Sequence, residues 1–191
     1  MIAWVDVETT GLDERAGELL EVALVITDDE LDAVAVMEHV VAHDVTLAWG
    51  RADAVVQTMH GDSGLWRDIV VRGVPIDLVE KLLLRGVLDV VKRWEMSGVE
   101  FNPKATPLAG STVGFDRRWL RHHLPRFEAL WSHRSIDVSS VNELARRWAP
   151  ELHAARPGAG GPVAHRALPD VRASLDVLRH YKRAGLFGGA R

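Results

Sequence analysis

An α/β fold built on one mixed sheet is the architecture this sequence predicts, and three observations predict it. Three apolar, β-branched runs follow one another up to Val41, separated by short polar turns. Beyond them the apolar spacing changes to helical periods, interrupted by short apolar segments that read as further strands. A length of 191 residues, 47% hydrophobic and 26% charged, supplies one substantial core. The expected architecture is therefore a five-stranded mixed sheet, with an N-terminal antiparallel meander and flanking helices, formed by residues 1–191 as a single domain.

Ile2 to Val7 reads as a buried strand, Glu18 to Thr27 as a second and Leu31 to Val41 as a third. Thr9-Thr10-Gly11-Leu12-Asp13 and Asp28-Asp29-Glu30 carry the turn chemistry between them. Ala52 to Met59 is a short helix candidate, and Pro75 to Met96 a long one with proline suited to its first turn. After a polar loop from Gly98 to Pro107, Leu108-Ala109-Gly110 reads as a short central strand leading into a helix from about Gly114 to Leu124. Ser135 to Val138 is a further strand, and Ser139 or Ser140 can cap the helix that runs on to about Ala149. Arg156 to Pro162 is a Gly/Pro-rich loop, and the last helix spans about Leu168 to Ala184.

Composition narrows the function. No cysteine is present, so disulfides, thiolate metal sites and cysteine nucleophiles are excluded, and any metal must be held by oxygen or imidazole. The absence of a 20-residue apolar run or a cleavable leader leads to the expectation of a soluble, cytoplasmic protein without membrane attachment. A formal net charge of −4 argues against coating long duplexes, because that mode draws its affinity from many Lys/Arg–phosphate contacts.

Three separated acidic segments carry the chemistry: Asp6-Val7-Glu8, Asp116, and His165 with Asp170. Asp6 and Glu8 leave the same strand face, about 6.5–7 Å apart along the backbone, and repel unless something positive lies between them. The plain alternative is an exposed strand end. Asp116, in the first turn of its helix, can serve simply as a helix-terminal acid. Asp170 opens the last helix beside Pro169, and a histidine at a loop end, such as His165, is often only polar surface. Taken together, four carboxylates and one histidine are what two-metal phosphodiester hydrolysis needs: acids for ions roughly 3.5–4 Å apart, and a neutral imidazole to take a proton from the attacking water. On this reading Gly158, Gly160 and Gly161 allow a mobile loop to bring His165 in. Arg117, Arg118, Arg121 and Arg126 read as a solvated face, and the seven tryptophans as core and interface residues.

With these residues in place, the chain resembles the oligoribonucleases, DEDD-type 3′-to-5′ exonucleases of the His-containing branch. The resemblance covers almost the whole chain. It rests on Trp4 to Asp13, on Met59-His60 with Ser63-Gly64-Leu65, and on Pro107-Leu108-Ala109-Gly110 leading to Asp116-Arg117. It continues through Ile136-Asp137-Val138-Ser139-Ser140, Glu143-Leu144-Ala145-Arg146-Arg147-Trp148, and His165-Arg166-Ala167-Leu168 with Asp170. The resemblance implies an RNase H-like fold, a homodimer, and two Mg²⁺ or Mn²⁺ ions held by Asp6, Glu8, Asp116 and Asp170, with His165 as general base. It implies that very short RNA, down to dinucleotides, is degraded to nucleoside 5′-monophosphates. Leu12 would wedge between the bases, while Thr112, Arg134 and Ser139 would lie near the 5′ phosphate.

Three positions depart from the family pattern. Gly110-Ser111-Thr112 stands for Gly-Asn-Ser, which alters a side-chain amide contact. His133 stands for a tyrosine whose ring would stack from the partner subunit. Gly114-Phe115-Asp116 is close to the Phe-Asp of proofreading exonucleases, which keeps a single-strand DNA exonuclease acting on short DNA as the alternative enzyme. An inert nucleic-acid-binding module is the alternative outside enzymes.

Overall fold

A computed structural model of the chain describes residues 1–158 and 164–186, so Gly160 and Gly161 of the Gly-rich loop lie outside the described residues. Its five strands are β1 (Ile2–Thr9), β2 (Leu19–Thr27), β3 (Ala33–Val40), β4 (Leu108–Gly110) and β5 (Ser135–Asp137). They form one sheet in the order β3-β2-β1-β4-β5. The first three pair antiparallel, the expected meander, whereas β4 and β5 join β1 in parallel. The mixed five-stranded α/β architecture predicted from sequence is the one observed.

The period of two along β1 sends its side chains to two separate cores. Ala3, Val5 and Val7 pack with Val22, Leu24 and Ile26 of β2 against the helix α4 (Ile76–Met96), which contributes Val79, Leu83, Val87 and Val90. Trp119 and Leu120 of α5 (Gly114–His123) complete that layer. On the other face Trp4, Ala23 and Val25 meet α7 (Val138–Trp148) and α9 (Ala167–Arg183) through Val138, Ala145, Val171, Leu175 and Tyr181. Asp6 and Glu8 continue the Trp4 face, so the strand aims both acids toward α9.

Short helices fill the remaining positions: α1 (Val45–Arg51), α2 (Ala54–Asp62), α3 (Leu65–Arg72), α6 (Pro125–Glu128) and α8 (Pro150–Ala154). The first three enclose a third core around Leu20, Leu65, Trp66 and Ile69. Of the five, only α2 was foreseen. It starts after the cap Asp53, whose side chain accepts from Val56 N at 2.9 Å.

Two other expectations are corrected by cap geometry and packing. The N-cap of α7 is Asp137 rather than Ser139 or Ser140, because its carboxylate accepts from Ser139 N at 2.9 Å and leaves the serine hydroxyls free for other work. Arg117 is buried rather than part of a solvated face, pairing with Glu128 at 2.8 Å and donating to the Arg134 carbonyl at 3.1 Å. One glycine is required by close approach: a Cβ on Gly110 would meet the Val5 carbonyl oxygen at 2.6 Å, so β4 reaches β1 only without a side chain there.

Candidate active site

The end of β1 and the start of α9 converge. One oxygen from each of Asp6, Glu8 and Asp170 lies within 4.8 Å of the others, a separation suited to a shared cation. Asp116 joins them from α5 with its carboxylate turned to the strand: its Oδ1 accepts the Val7 N–H at 3.0 Å. The reason is local. Strand β4 pairs with β1 only at Ala3 and Trp4, so further along the edge the Val7 amide has no strand beside it, and the first turn of α5 supplies the acceptor. The exposed-strand-end reading of Asp6 and Glu8 therefore fails, since Glu8 is buried and Asp6 half-buried.

Electrostatics sets this cluster apart. Burial, followed by Asp116, Glu8 and Asp170, holds the Asp6 carboxyl well above the ordinary carboxylate range. Glu8 is pushed up to about 8 by burial and then by Asp170 and Glu21. Asp116 is pushed up to about 7 by burial, against the pull of backbone N–H groups including that of Val7. Burial also raises Asp170, opposed first by His165 and then by backbone N–H groups around the helix start. Four acids in one place, all resisting ionisation and all offering hard oxygen, make a donor set that fits divalent cations such as Mg²⁺ or Mn²⁺.

His165 stands half-buried just ahead of α9, with a backbone φ of 50°. Thr112 has a φ of 57°, so among the described residues two of the three non-glycine ones in the left-handed region belong to the predicted site. Such conformations cost about 1–3 kcal/mol and persist where surrounding contacts over-determine them. Thr112 N donates to Asp137 Oδ1 at 3.0 Å, and its hydroxyl lies 3.1 Å from that of Ser139, so these two predicted substrate residues are brought together. Leu12 projects from the β1–β2 loop, 83% exposed. His133 and Arg134 are exposed in the loop before β5, where His133 lines a separate basic cleft with Lys104, Arg118 and Arg121.

Two hollows border the site, one at the acids and one at His165. One, of about 500 Å³, is lined by Asp6, Ser111, Asn142, Arg156 and Asp170. The other, of about 610 Å³, has Val55, Met59 and Ser63 on one wall and Ala164 and His165 on another.

Sequence reasoning gave no role to three charged or polar residues beside the acids. His60 is fully buried, with its Nε2 3.0 Å from the Thr9 carbonyl and its Nδ1 3.9 Å from Glu8 Oε2. Burial holds its pKa below the usual histidine value, so it stands neutral against Glu8. Glu21 is completely buried on β2, directly across the ladder from Glu8, and Arg166 is its ion-pair partner at 2.8 Å. A charged residue inside the apolar run Leu19 to Thr27 was the signal for Glu21.

The comparisons with known proteins meet this geometry at the sequence level. Over 182 residues the chain is 35% identical to an oligoribonuclease of Mycobacterium ulcerans, a match that spans 95% of this chain and 80% of that relative. The chain belongs to the oligoribonuclease family. The oligoribonuclease of Marinobacter nauticus is 34% identical across 95% of this chain and 93% of its own. No protein-family model matches the chain. Among solved structures, an exonuclease I from Methylocaldum szegediense superposes with a TM-score of 0.68 at 22% identity, over 97% of this chain. The chain spans 41% of that longer protein. Pop2p of S. pombe, solved with Mg²⁺ and Mn²⁺ bound, gives 0.69 at 11% identity, covering 100% of this chain and 86% of Pop2p. The oligoribonuclease family thus meets an exonuclease fold, and the RNase H-like architecture implied by the motifs is the one found. As a member of that family, the chain is a 3′-to-5′ exonuclease. Among the described residues no helix is long and apolar enough to cross a membrane.

Proposed function

We propose that this exonuclease degrades very short RNA, down to dinucleotides, to nucleoside 5′-monophosphates, acting as a single domain within a cytoplasmic homodimer. The observation that carries the reading is the gathering of Asp6, Glu8 and Asp170 within 4.8 Å beside Asp116 and His165. Asp6, Glu8, Asp116 and Asp170 would hold two Mg²⁺ or Mn²⁺ ions, which when bound supply positive charge to the scissile phosphate and to the attacking water.

The chain's own residues supply the rest. His165 takes the proton from the attacking water, a role suited to imidazole near neutral pH. Asp116 is held in one orientation by the Val7 amide, and the neutral His60 walls off one side of Glu8. The paired hydroxyls of Thr112 and Ser139, with Arg134, receive the 5′ phosphate of a short substrate, and Leu12 separates the bases. Val55 and Met59 offer an apolar wall for a base next to His165. In the homodimer the partner's His133 serves from its loop, and light scattering on the purified chain would test for two subunits.

Initial rates on a diribonucleotide, a longer RNA and a 20-base DNA strand test the substrate. Faster hydrolysis of the dinucleotide is expected. Faster trimming of the DNA strand would make the chain a single-strand DNA exonuclease, the reading that Gly114-Phe115-Asp116 favours. Against that alternative, Phe115 is spent on packing: its ring lies 5.9 Å from that of Trp119 and beneath the Arg118 guanidinium.

A further inference from the structure

Arg166 lies between His165 and the helix that carries Asp170, and all three nitrogens of its guanidinium are hydrogen-bonded. Its Nε donates to Glu21 Oε2 at 3.1 Å, and its Nη2 to Glu21 Oε1 at 2.8 Å. The same Nη2 donates to Asp68 Oδ2 at 2.8 Å, and Nη1 reaches the Ser63 carbonyl at 3.3 Å. The next residue is tied to the same acid, because Ala167 N donates to Glu21 Oε2 at 2.9 Å. Two consecutive residues are thus fastened to one completely buried carboxylate on β2, and to α3 and the α2–α3 turn as well.

A buried ion pair of this kind does little for net stability, since desolvating both charges offsets their attraction. What it does supply is geometry. A guanidinium presents five donors in a rigid fork, and here that fork fixes the direction in which the chain enters α9. His165 immediately precedes the fork and holds a φ of 50°, so the bearing of its imidazole depends on residue 166 being immobile.

We propose that Arg166 is the positioning residue for His165, setting the imidazole's place over the acid cluster through Glu21, Asp68 and the Ser63 carbonyl. The proposal rests on the reading of His165 as general base.

The test is a double-mutant cycle on the full chain, with dinucleotide hydrolysis measured at saturating Mn²⁺. Arg166→Gln would strand the Glu21 charge and can unfold the protein, so the informative variant is Arg166→Lys, which keeps the charge and loses the fork. Its kcat should fall by about tenfold to a hundredfold, the scale of an ångström misplacement of a reacting group. Its KM and its half-saturating Mn²⁺ concentration should stay within about twofold. In a His165→Ala background the same lysine substitution should change kcat by less than about twofold, because there is no longer an imidazole to position. An equal fall in both backgrounds, or a normal kcat for Arg166→Lys alone, overturns the proposal. Full activity in His165→Ala alone is a distinct result: it removes the base assignment itself and the positioning role with it.

Discussion

Glu8 and Glu21 face each other across the β1–β2 ladder, both buried, yet the protein treats them in opposite ways. Glu21 receives an arginine fork and a backbone amide. Among the described residues Glu8 has no lysine or arginine pair, but a neutral imidazole at 3.9 Å and two further acids, Asp6 and Asp170, within 4.8 Å. Two regions of like composition therefore differ in where their counter-charge comes from: one carries its own cation, and the other is left to an outside one. A buried acid that the chain has neutralised is structural, and a buried acid that it has left in the company of other acids is a ligand in waiting.

The comparison breaks most visibly in activity. Asp6→Ala or Asp170→Ala should lower Mg²⁺-dependent dinucleotide hydrolysis to background, while metal-free thermal stability is kept or raised, because each removes repulsion. Near-normal turnover in either variant would refute the ligand assignment. Glu21→Ala should behave the other way and lower stability in urea unfolding, because Arg166 and the Ala167 amide lose their buried acceptor.

Added cation should sharpen the contrast. Mn²⁺ at about 100 times its dissociation constant should stabilise the chain by about 2.7 kcal/mol, and Asp6→Asn should lose most of that gain. The effect should be larger at pH 8 than at pH 6, since binding must displace protons held by the raised carboxyls. Without metal the sign reverses. Glu8 rises from 4.5 to about 8 on folding, so the folded state holds the extra proton between those values. That contribution to stability is complete below pH 4.5 and is lost as pH rises through 8, and Glu8→Gln should flatten this part of the curve.

Smaller effects belong to the surroundings. Val55→Asp should raise KM severalfold with kcat little changed, if the wall it shares with Met59 seats a base. On the surface, Arg147→Ala breaks an exposed pair with Glu143 and should leave both melting temperature and rate unchanged.

What could be read from sequence follows from how local each signal is. The meander, α4 and α9 announce themselves by runs and periods within a few residues. Helices α1, α3, α6 and α8 are too short to show a period, and they form because the core around Leu20 and Trp66, or a proline at the first turn, holds them. The four acids and His165 were legible because each sits at the end of a strand or the start of a helix. Arg166 was visible only as a letter in a motif, since its meaning lies in Glu21, 145 residues earlier in the chain. The capping role of Asp137 was missed, and the expected strand ran one residue too far, to Val138, because the capping bonds depend on how α7 departs from the sheet.

The facing of Glu8 and Glu21 also bears on how the chain assembles. A β1–β2 hairpin is a local object that can form early, but in this register it sets two carboxylates opposite each other. The cations that reconcile them come from outside the hairpin: Arg72 of α3 at 3.6 Å and Arg166 ahead of α9 at 2.8 Å from Glu21. A hairpin formed alone would leave the two acids without a counter-charge, so its pairing is completed by segments that follow it in the chain.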